Sequence, residues 1–519
     1  MSDRYLKMDQ NSSMNRREFV KFGALALSPI LVKFLNDWTQ GTTENDFDIE
    51  ILSDAGVGHL LWESKDYPQG ETLETSYLIV GGGIAGLSAA YELKNEDFLL
   101  CELSDYLGGS SSANTHQDQY FSQGAHYDLA YPKYYGKDLL EALFDLDIID
   151  YNYQKEEWVF VDKQFLIQPK KASQSFDQGI FRADVLPEGK LKESFEALLR
   201  PFVGQMPMPT TSISREFHYL NQLTFKEFLE QHLTLDDAFV QAIDYAMLDD
   251  WGATSEVVSA LAGVHYYTCR SYFDGNPELF SPPQGNAYFA QQFIRKIPQE
   301  RLLTNRLVKQ IERSSTGFSV NVIDVKQKKI VTIKTSKIVY AAHKHALKYI
   351  YPEAYPLFQQ TTYAPWIVVN IVLNKAVTTP VYWQNEYLSG EQAFMGFVDS
   401  GAQYQPLTTR RTLTAYYCLP TEQRKELLNI EQIAPSLVEQ SIVAIEEVLQ
   451  QSIRQDIEKV YIKAMGHAMP IPKPHFLLQN HNANARDTGI AYAGVDAGHL
   501  PLFFEAANSG LQAARLLKG

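Results

Sequence analysis

The stretch YLIVGGGIAGLSAAYEL, residues 77–93, decides how this chain folds. Residues 77–80 are a β-favouring apolar run, and residues 84–93 carry the small and aliphatic side chains of a buried helix. Each glycine of the intervening GGGIAG has a physical task. Gly81 makes the tight turn, Gly83 lets the backbone approach a pyrophosphate, and Gly86 lets the helix pack on the strand. Backbone N–H groups and the helix dipole then face the phosphates. Residues 98–101 supply a second strand ending at Glu102, about 20 residues beyond the motif, where a carboxylate accepts hydrogen bonds from an adenosine ribose. With both strands, the helix and the acid in order, the turn reads as a dinucleotide site. By itself it holds NAD as readily as FAD.

Upstream, residues 41–75 are rich in Gly, Asp, Glu and Thr without sustained periodicity, and read as a linker with one short strand at 49–52. Before them, NRREFVK at 15–21 resembles the twin-arginine export signal, with Arg16 and Arg17 followed by Phe19, Val20 and Lys21. An uncharged apolar run at 22–32 is too short to span a bilayer but suits the h-region of a signal peptide. Residues 1–40 are therefore excluded from the fold. The resemblance implies export with a cofactor already bound, to the periplasm or to the outer face of the inner membrane. Ala24 and Ala26 lie inside the apolar run, so no clean cleavage site follows it, and an uncleaved segment implies peripheral membrane association.

A chain of 519 residues exceeds what one core usually serves, which predicts two closely associated domains. With 46 basic against 62 acidic residues the formal charge is -16, which excludes a nucleic-acid backbone as the natural partner. Cys101, Cys269 and Cys418 lie far apart with no CxxC spacing, so neither a metal site nor a disulfide framework is indicated.

Motifs along the whole length carry a resemblance to the FAD-dependent amine oxidoreductase superfamily, which includes monoamine and polyamine oxidases, protoporphyrinogen oxidase and phytoene-type desaturases. After Glu102, LSDYLGGSSS is similar to that family's glycine-rich stretch, with Gly108 and Gly109 in place and Ser110 where arginine is usual. QGAHYD, residues 123–128, is similar to a segment passing beside the isoalloxazine. NRLVKQIERSSTGFSVNVI and KTSKIVYAAHKHAL look like the second run of FAD-domain strands, which places Val308 against the adenine and Ala341 and Ala342 where the chain leaves that domain. At the end, GIAYAGVDAGHLPLFFEAANSGLQAARLL resembles the closing strand and helix: Asp496 is the acid on the ribityl chain, and the helix starts near Phe504 with Glu505, Ser509 and Gly510 at its acidic and Ser-Gly positions. That helix N-terminus stabilises negative charge developing on the flavin.

The resemblance implies an α/β chain, with a Rossmann-like FAD-binding domain assembled from residues 76–128, 287–348 and 479–519. It likewise implies a discontinuous α+β substrate domain from 129–286 and 349–478. In the latter, helical periodicity runs over 224–232, 236–247 and 433–449, and a strand over 366–373. FAD is expected to be non-covalent, since no cysteine follows Cys418. No second nucleotide fingerprint appears, which argues against an NAD(P)H-fed reductase.

In the family a hydride or its equivalent passes from a carbon beside nitrogen to flavin N5 while the protein orients and desolvates the amine. The residues expected at the reacting end are His126, Tyr127, Trp366 and Phe503. The lysine that many amine oxidases carry on the substrate-domain strand is missing from YAPWIVVN, residues 363–370, and Lys375 lies beyond its apolar run. Oxygen, a quinone and a carrier protein all remain open as electron acceptor. Three functions follow: oxidation of a small-molecule amine, for which a polyamine suits the acidic chain; desaturase or porphyrinogen-oxidase chemistry on an apolar substrate; and a flavin-binding partner protein without turnover.

Overall fold

The computed structural model describes residues 47–63, 66–124, 132–167, 172–269, 271–273, 279–375, 377, 382–388, 393–403 and 410–518. The twin-arginine-like stretch, and with it residues 1–46, lies outside the described residues, as do His126 and Tyr127.

A seven-stranded sheet grows from the glycine turn. Its strand Gln69–Val80 runs parallel to Phe98–Cys101 on one side and to Lys329–Tyr340 on the other, with Tyr77 opposite Phe98 and Val80 opposite Tyr340. Leu302–Leu303 extends it in parallel beyond Phe98–Cys101. The first half of Lys329–Tyr340 pairs antiparallel with Gly317–Asp324, and that strand in turn with Arg306–Ser314. Its second half is left for Ile490–Tyr492, again in parallel. The first strand starts well before residue 77: Gln69 and Thr72 to Thr75 also find partners on Lys329–Tyr340, although Gln69, Thr72 and Glu74 are polar and exposed.

Helix Ile84–Glu92 is buried over nearly its whole length, which its small side chains permit. The closing helix Phe503–Lys518 lies against it so closely that a Cβ on Gly510 would come within 2.0 Å of the Ala85 carbonyl oxygen.

The second sheet has eight strands in the order Asp48–Leu52, Ile457–Pro470, Tyr363–Leu373, Arg411–Cys418, Phe394–Asp399, Gln384–Tyr387, Ser173–Asp177 and Ile180–Arg182. Tyr363–Leu373 and Arg411–Cys418 are buried at every position, which requires cover on both faces. Helix Ile430–Leu449 covers one face. A large cavity lies on the other.

Asp237–Trp251 and Ala260–Thr268 contribute to the cavity wall, with Phe225–Glu230 packed on the latter, and each starts where side chains can satisfy its free N–H groups. Thr224 and Glu227 form a capping box on Phe225–Glu230, Asp236 caps Asp237–Trp251, and Ser259 caps Ala260–Thr268. The expected linker is more structured than its composition suggests: Asp48–Leu52 is an edge strand of the second sheet, and Gln69 already belongs to the first. No helix among the described residues is long and apolar enough to cross a membrane.

Candidate active site

One cavity of about 1210 Å³ runs between the glycine turn and the second sheet. That exceeds the roughly 300–1,000 Å³ of most ligand pockets and leaves room for a dinucleotide and a substrate together.

At its first end the three glycines of the motif differ in what surrounds them. Gly81 has φ +102°, and a Cβ there would meet the Ala342 backbone N at 2.8 Å. At Gly86 a Cβ would strike the Gly81 carbonyl oxygen at 1.9 Å, so only glycine lets the helix start so near the turn. Gly83 is different: nothing lies within 4 Å of a Cβ built on it, and it lines the cavity together with Ile84 and Ala85 of the first helical turn. That open cradle, facing unsatisfied helix N–H groups, fits a phosphate group. Gly108, at φ +112°, closes the cradle through its N–H to the Gly82 carbonyl, and Gly109 and Ser110 also face the cavity.

Glu102 lines this end as well. Its carboxylate accepts the Gly82 N–H at 2.6 Å and the Ser104 N–H at 2.9 Å. Burial raises its pKa above the ordinary carboxylate value, against the pull of those two donors. Arg306, Leu307 and Val308 complete the wall, and Arg306 is held by Asp324 at 3.0 Å.

Asp496 occupies the middle of the cavity wall. It is buried, and Lys344, itself fully buried, reaches it twice: through Nζ to Oδ1 at 2.9 Å and through its backbone N–H to Oδ2 at 2.8 Å. The Tyr363 hydroxyl donates to the same Oδ2 at 2.9 Å. Burial, the largest single influence, would raise the Asp496 carboxyl, but the Lys344 charge, His343 and the two hydrogen bonds from Lys344 together outweigh it and hold the group below its usual value. Lys344 Nζ also donates to the carbonyls of Ala342 and Ala493, just beyond the ends of the two parallel strands. Beside this pair the His345 and His467 rings stack at 3.7 Å, and burial pushes them down to about 2 and about 3, so both are neutral.

At the far end the second sheet forms a floor. Trp366 stands opposite Met465 on one neighbouring strand and opposite Cys418 on the other, and its ring lies 13° from parallel with Tyr416 at 6.0 Å. Phe503, first residue of the closing helix, also lines the cavity. Around Tyr416 the lining carries the carboxylates Asp249, Asp250 and Glu386, while the same cavity is also lined by Lys348, Arg424, Lys425 and Lys463. Gln384 links Tyr416 to Asp249, with its Nε2 at 3.3 Å from each oxygen. Burial first, and then these carboxylates, raise the Tyr416 phenol well above its ordinary value.

The cavity therefore brings together Gly81, Gly83, Glu102, Gly108, Gly109, Ser110, Val308, Asp496, Trp366 and Phe503, with Gly86 packed behind them. Glu505 is placed elsewhere. As third residue of its helix it is buried on the opposite side, where Oε1 accepts the Thr210 N–H at 2.7 Å and Oε2 lies 3.4 Å from His499. Helical spacing cannot present both Phe503 and Glu505 to one cavity. Lys375 pairs with Asp456 at 2.6 Å on an exposed strand end. The sequence reading did not single out Lys344, Tyr416, Asp249, Asp250 or Glu386. Lys344 lies within a matched segment and Tyr416 alternates with Thr414 on one strand face, but only strand pairing brings them to the cavity.

A family model described as flavin containing amine oxidoreductase matches residues 84–425. Among solved structures, putrescine oxidase bound to putrescine is 15% identical with a TM-score of 0.59, over 86% of this chain and 99% of that one. Cyclohexylamine oxidase from Brevibacterium oxydans IH-35A is 15% identical with a TM-score of 0.60, over 85% and 98%. A protein from Exiguobacterium sp. 255-15 assigned as a protoporphyrinogen oxidase is 14% identical with a TM-score of 0.58, over 87% and 100%. At such identities the likeness establishes a shared fold. No curated protein matches the sequence.

Proposed function

The chain belongs to the flavin containing amine oxidoreductase family and is an FAD-dependent oxidoreductase; from that premise we propose that it oxidises a primary or secondary small-molecule amine. The observation that carries this reading is the far end of the cavity, an aromatic floor of Trp366 and Tyr416 that leads to Asp249, Asp250 and Glu386. Carboxylates attract a cationic substrate, and aromatic faces orient it.

In this account Gly83, Gly109 and Ser110 hold the pyrophosphate, Glu102 the adenosine ribose, Val308 the adenine and Asp496 the ribityl chain, without a covalent link. When bound, FAD accepts a hydride or its equivalent at ring N5. The protein supplies the rest. Trp366, Tyr416 and Phe503 exclude water from the reacting carbon, and their apolar surroundings disfavour the ammonium form, which frees the nitrogen electron pair that the reaction needs. His126 and Tyr127 are further candidates for this end.

Neutralising the acidic end tests the reading. Asp249→Asn and Glu386→Gln should each raise KM for an amine by roughly tenfold, as expected for a lost charged contact of about 1.4 kcal/mol, with kcat changed far less. An unchanged KM in both variants would remove the support for an amine. A second reading, an apolar substrate, is favoured by Leu428, which lines the cavity yet stays exposed. It requires turnover of a porphyrinogen or polyene where amines give none.

Export by the twin-arginine route belongs to the same proposal, supported by Arg16, Arg17 and the apolar run after them. Fractionation should find the protein in the periplasm or on the outer face of the inner membrane, and Arg16→Lys with Arg17→Lys should retain it in the cytoplasm. The electron acceptor, whether oxygen, a quinone or a carrier protein, is identified by reoxidising the reduced enzyme with each in turn.

A further inference from the structure

Residues 48–62 precede the dinucleotide fold and lie outside the part of the chain that the family model matches. They are nevertheless built into the cavity. Asp48–Leu52 adds a parallel edge strand to Ile457–Pro470, in register from Asp48 opposite Lys459 to Leu52 opposite Lys463, and Lys459 bridges Asp48 and Glu50 at 3.3 and 2.7 Å. The chain then leaves the sheet and crosses to the first domain. There Leu60 and Leu61 pack with Leu307, Ile323, Ile330 and Leu103, the residues around Glu102 and Val308.

Two features mark this crossing as more than packing. The first is Asp54, which accepts a hydrogen bond from Lys463 Nζ at 2.7 Å and another from the Tyr106 hydroxyl, while Lys463 Nζ also reaches the Tyr106 oxygen at 2.6 Å. Lys463 belongs to the cavity floor and is almost fully buried, and Tyr106 belongs to the loop between Glu102 and Gly108. One carboxylate thus joins the crossing segment, the floor and the phosphate-side loop, and all three residues line the cavity. The second is aromatic. His59 stacks on Trp62 at 4.3 Å, and Trp62 meets Tyr349 at 5.9 Å; all three line the cavity, yet Trp62 remains 57% exposed. A tryptophan left that open at a cavity rim lacks a covering surface of its own.

We infer that residues 48–62 form a strap over the adenosine end of the FAD site, latched by Asp54, Lys463 and Tyr106, with His59, Trp62 and Tyr349 as its aromatic wall. The inference rests on FAD occupying this cavity with its adenosine half toward Glu102 and Val308. Its ligand class is the adenine nucleotide half of a dinucleotide. The strap slows cofactor loss, because that half cannot leave without parting Asp54 from a lysine that burial makes costly to leave unpaired.

The test compares the full-length holoprotein with Asp54→Asn and Trp62→Ala, reading FAD release on dilution by recovery of flavin fluorescence. Both variants should release FAD at least roughly tenfold faster, equivalent to about 1.4 kcal/mol. Flavin-stripped variants should likewise bind ADP more weakly than the stripped wild type while binding FMN, which lacks the adenylate half, equally well. Wild-type release rates in both variants, or equal losses for ADP and FMN, would overturn the strap. Trp62→Ala guards against misfolding of Asp54→Asn, since its side chain is largely exposed. If the wild-type protein bound no FAD, the cavity assignment itself would fall, an outcome distinct from failure of the variants alone.

Discussion

Single residues in this protein are set by what surrounds them, and two glycines three positions apart show it. A Cβ on Gly86 would collide with backbone, whereas one on Gly83 would enter only the open cradle. Gly86→Ala is therefore expected to lose soluble, folded protein. Gly83→Ala should keep the wild-type denaturation midpoint yet bind FAD more weakly by an order of magnitude or more, as read by flavin fluorescence quenching. Equal stability loss in both would refute the assignment. The Lys344–Asp496 pair makes the opposite case, since both partners are buried and mutually satisfied. Lys344→Met leaves an unpaired carboxylate inside and should cost about 3–5 kcal/mol in urea unfolding. The histidines add a pH dependence. Burial holds His345 and His467 near 2 and 3, below the ~6.5 of a free imidazole, so the unfolded chain binds protons that the folded chain refuses. Their contribution is complete above about pH 6.5 and is lost as pH falls toward the folded values. His467→Gln should flatten the loss of stability between pH 6.5 and 4, and an unchanged slope would show that the ring titrates normally.

At the scale of elements, legibility follows from whether an element's partners are local. The strand, glycine turn, helix and second strand from Gln69 to Cys101 form one contiguous unit whose pattern reads directly from residues 77–102. The closing helix reads equally well, beginning at Phe503 beside the expected Phe504, but its acidic residue does not: Glu505 turns toward Thr210, a contact that no local pattern encodes. Asp48–Leu52 was visible as a short strand, although its partner lies some 400 residues away on Ile457–Pro470, so its role as sheet edge and strap had no local signal. The closing helix also carries a prediction of its own. Gly510→Ala places a Cβ 2.0 Å from the Ala85 carbonyl oxygen and must push two buried helices apart. Overpacking of this kind costs about 1–3 kcal/mol, and the variant should both melt earlier and retain less FAD. Wild-type melting would mean that the helices are not so tightly apposed.

Over the whole molecule, the two sheets divide the work. The parallel half of the first ends at the glycine cradle, at Ala342 and at Asp496, while the floor of the second runs from the strap edge at Lys463 to the acidic edge at Glu386. The nucleotide end was legible because its motifs are contiguous. At the substrate end Trp366 and Phe503 were read from the sequence, but Tyr416, Asp249 and Glu386 were not, because they come from three further elements that meet Trp366 only through strand register and helix placement. Three of the chain's carboxylates, Asp249, Asp250 and Glu386, thus meet around Tyr416 at the substrate end. The most direct test of an FAD-dependent amine oxidation in this cavity is anaerobic mixing of the purified holoprotein with a panel of primary and secondary amines, diamines and polyamines included, while the flavin absorbance is followed. At least one amine should bleach the oxidised flavin band at a rate that saturates with its concentration and falls in Glu386→Gln. A spectrum unchanged by every amine, but bleached by a porphyrinogen or polyene, would contradict the account.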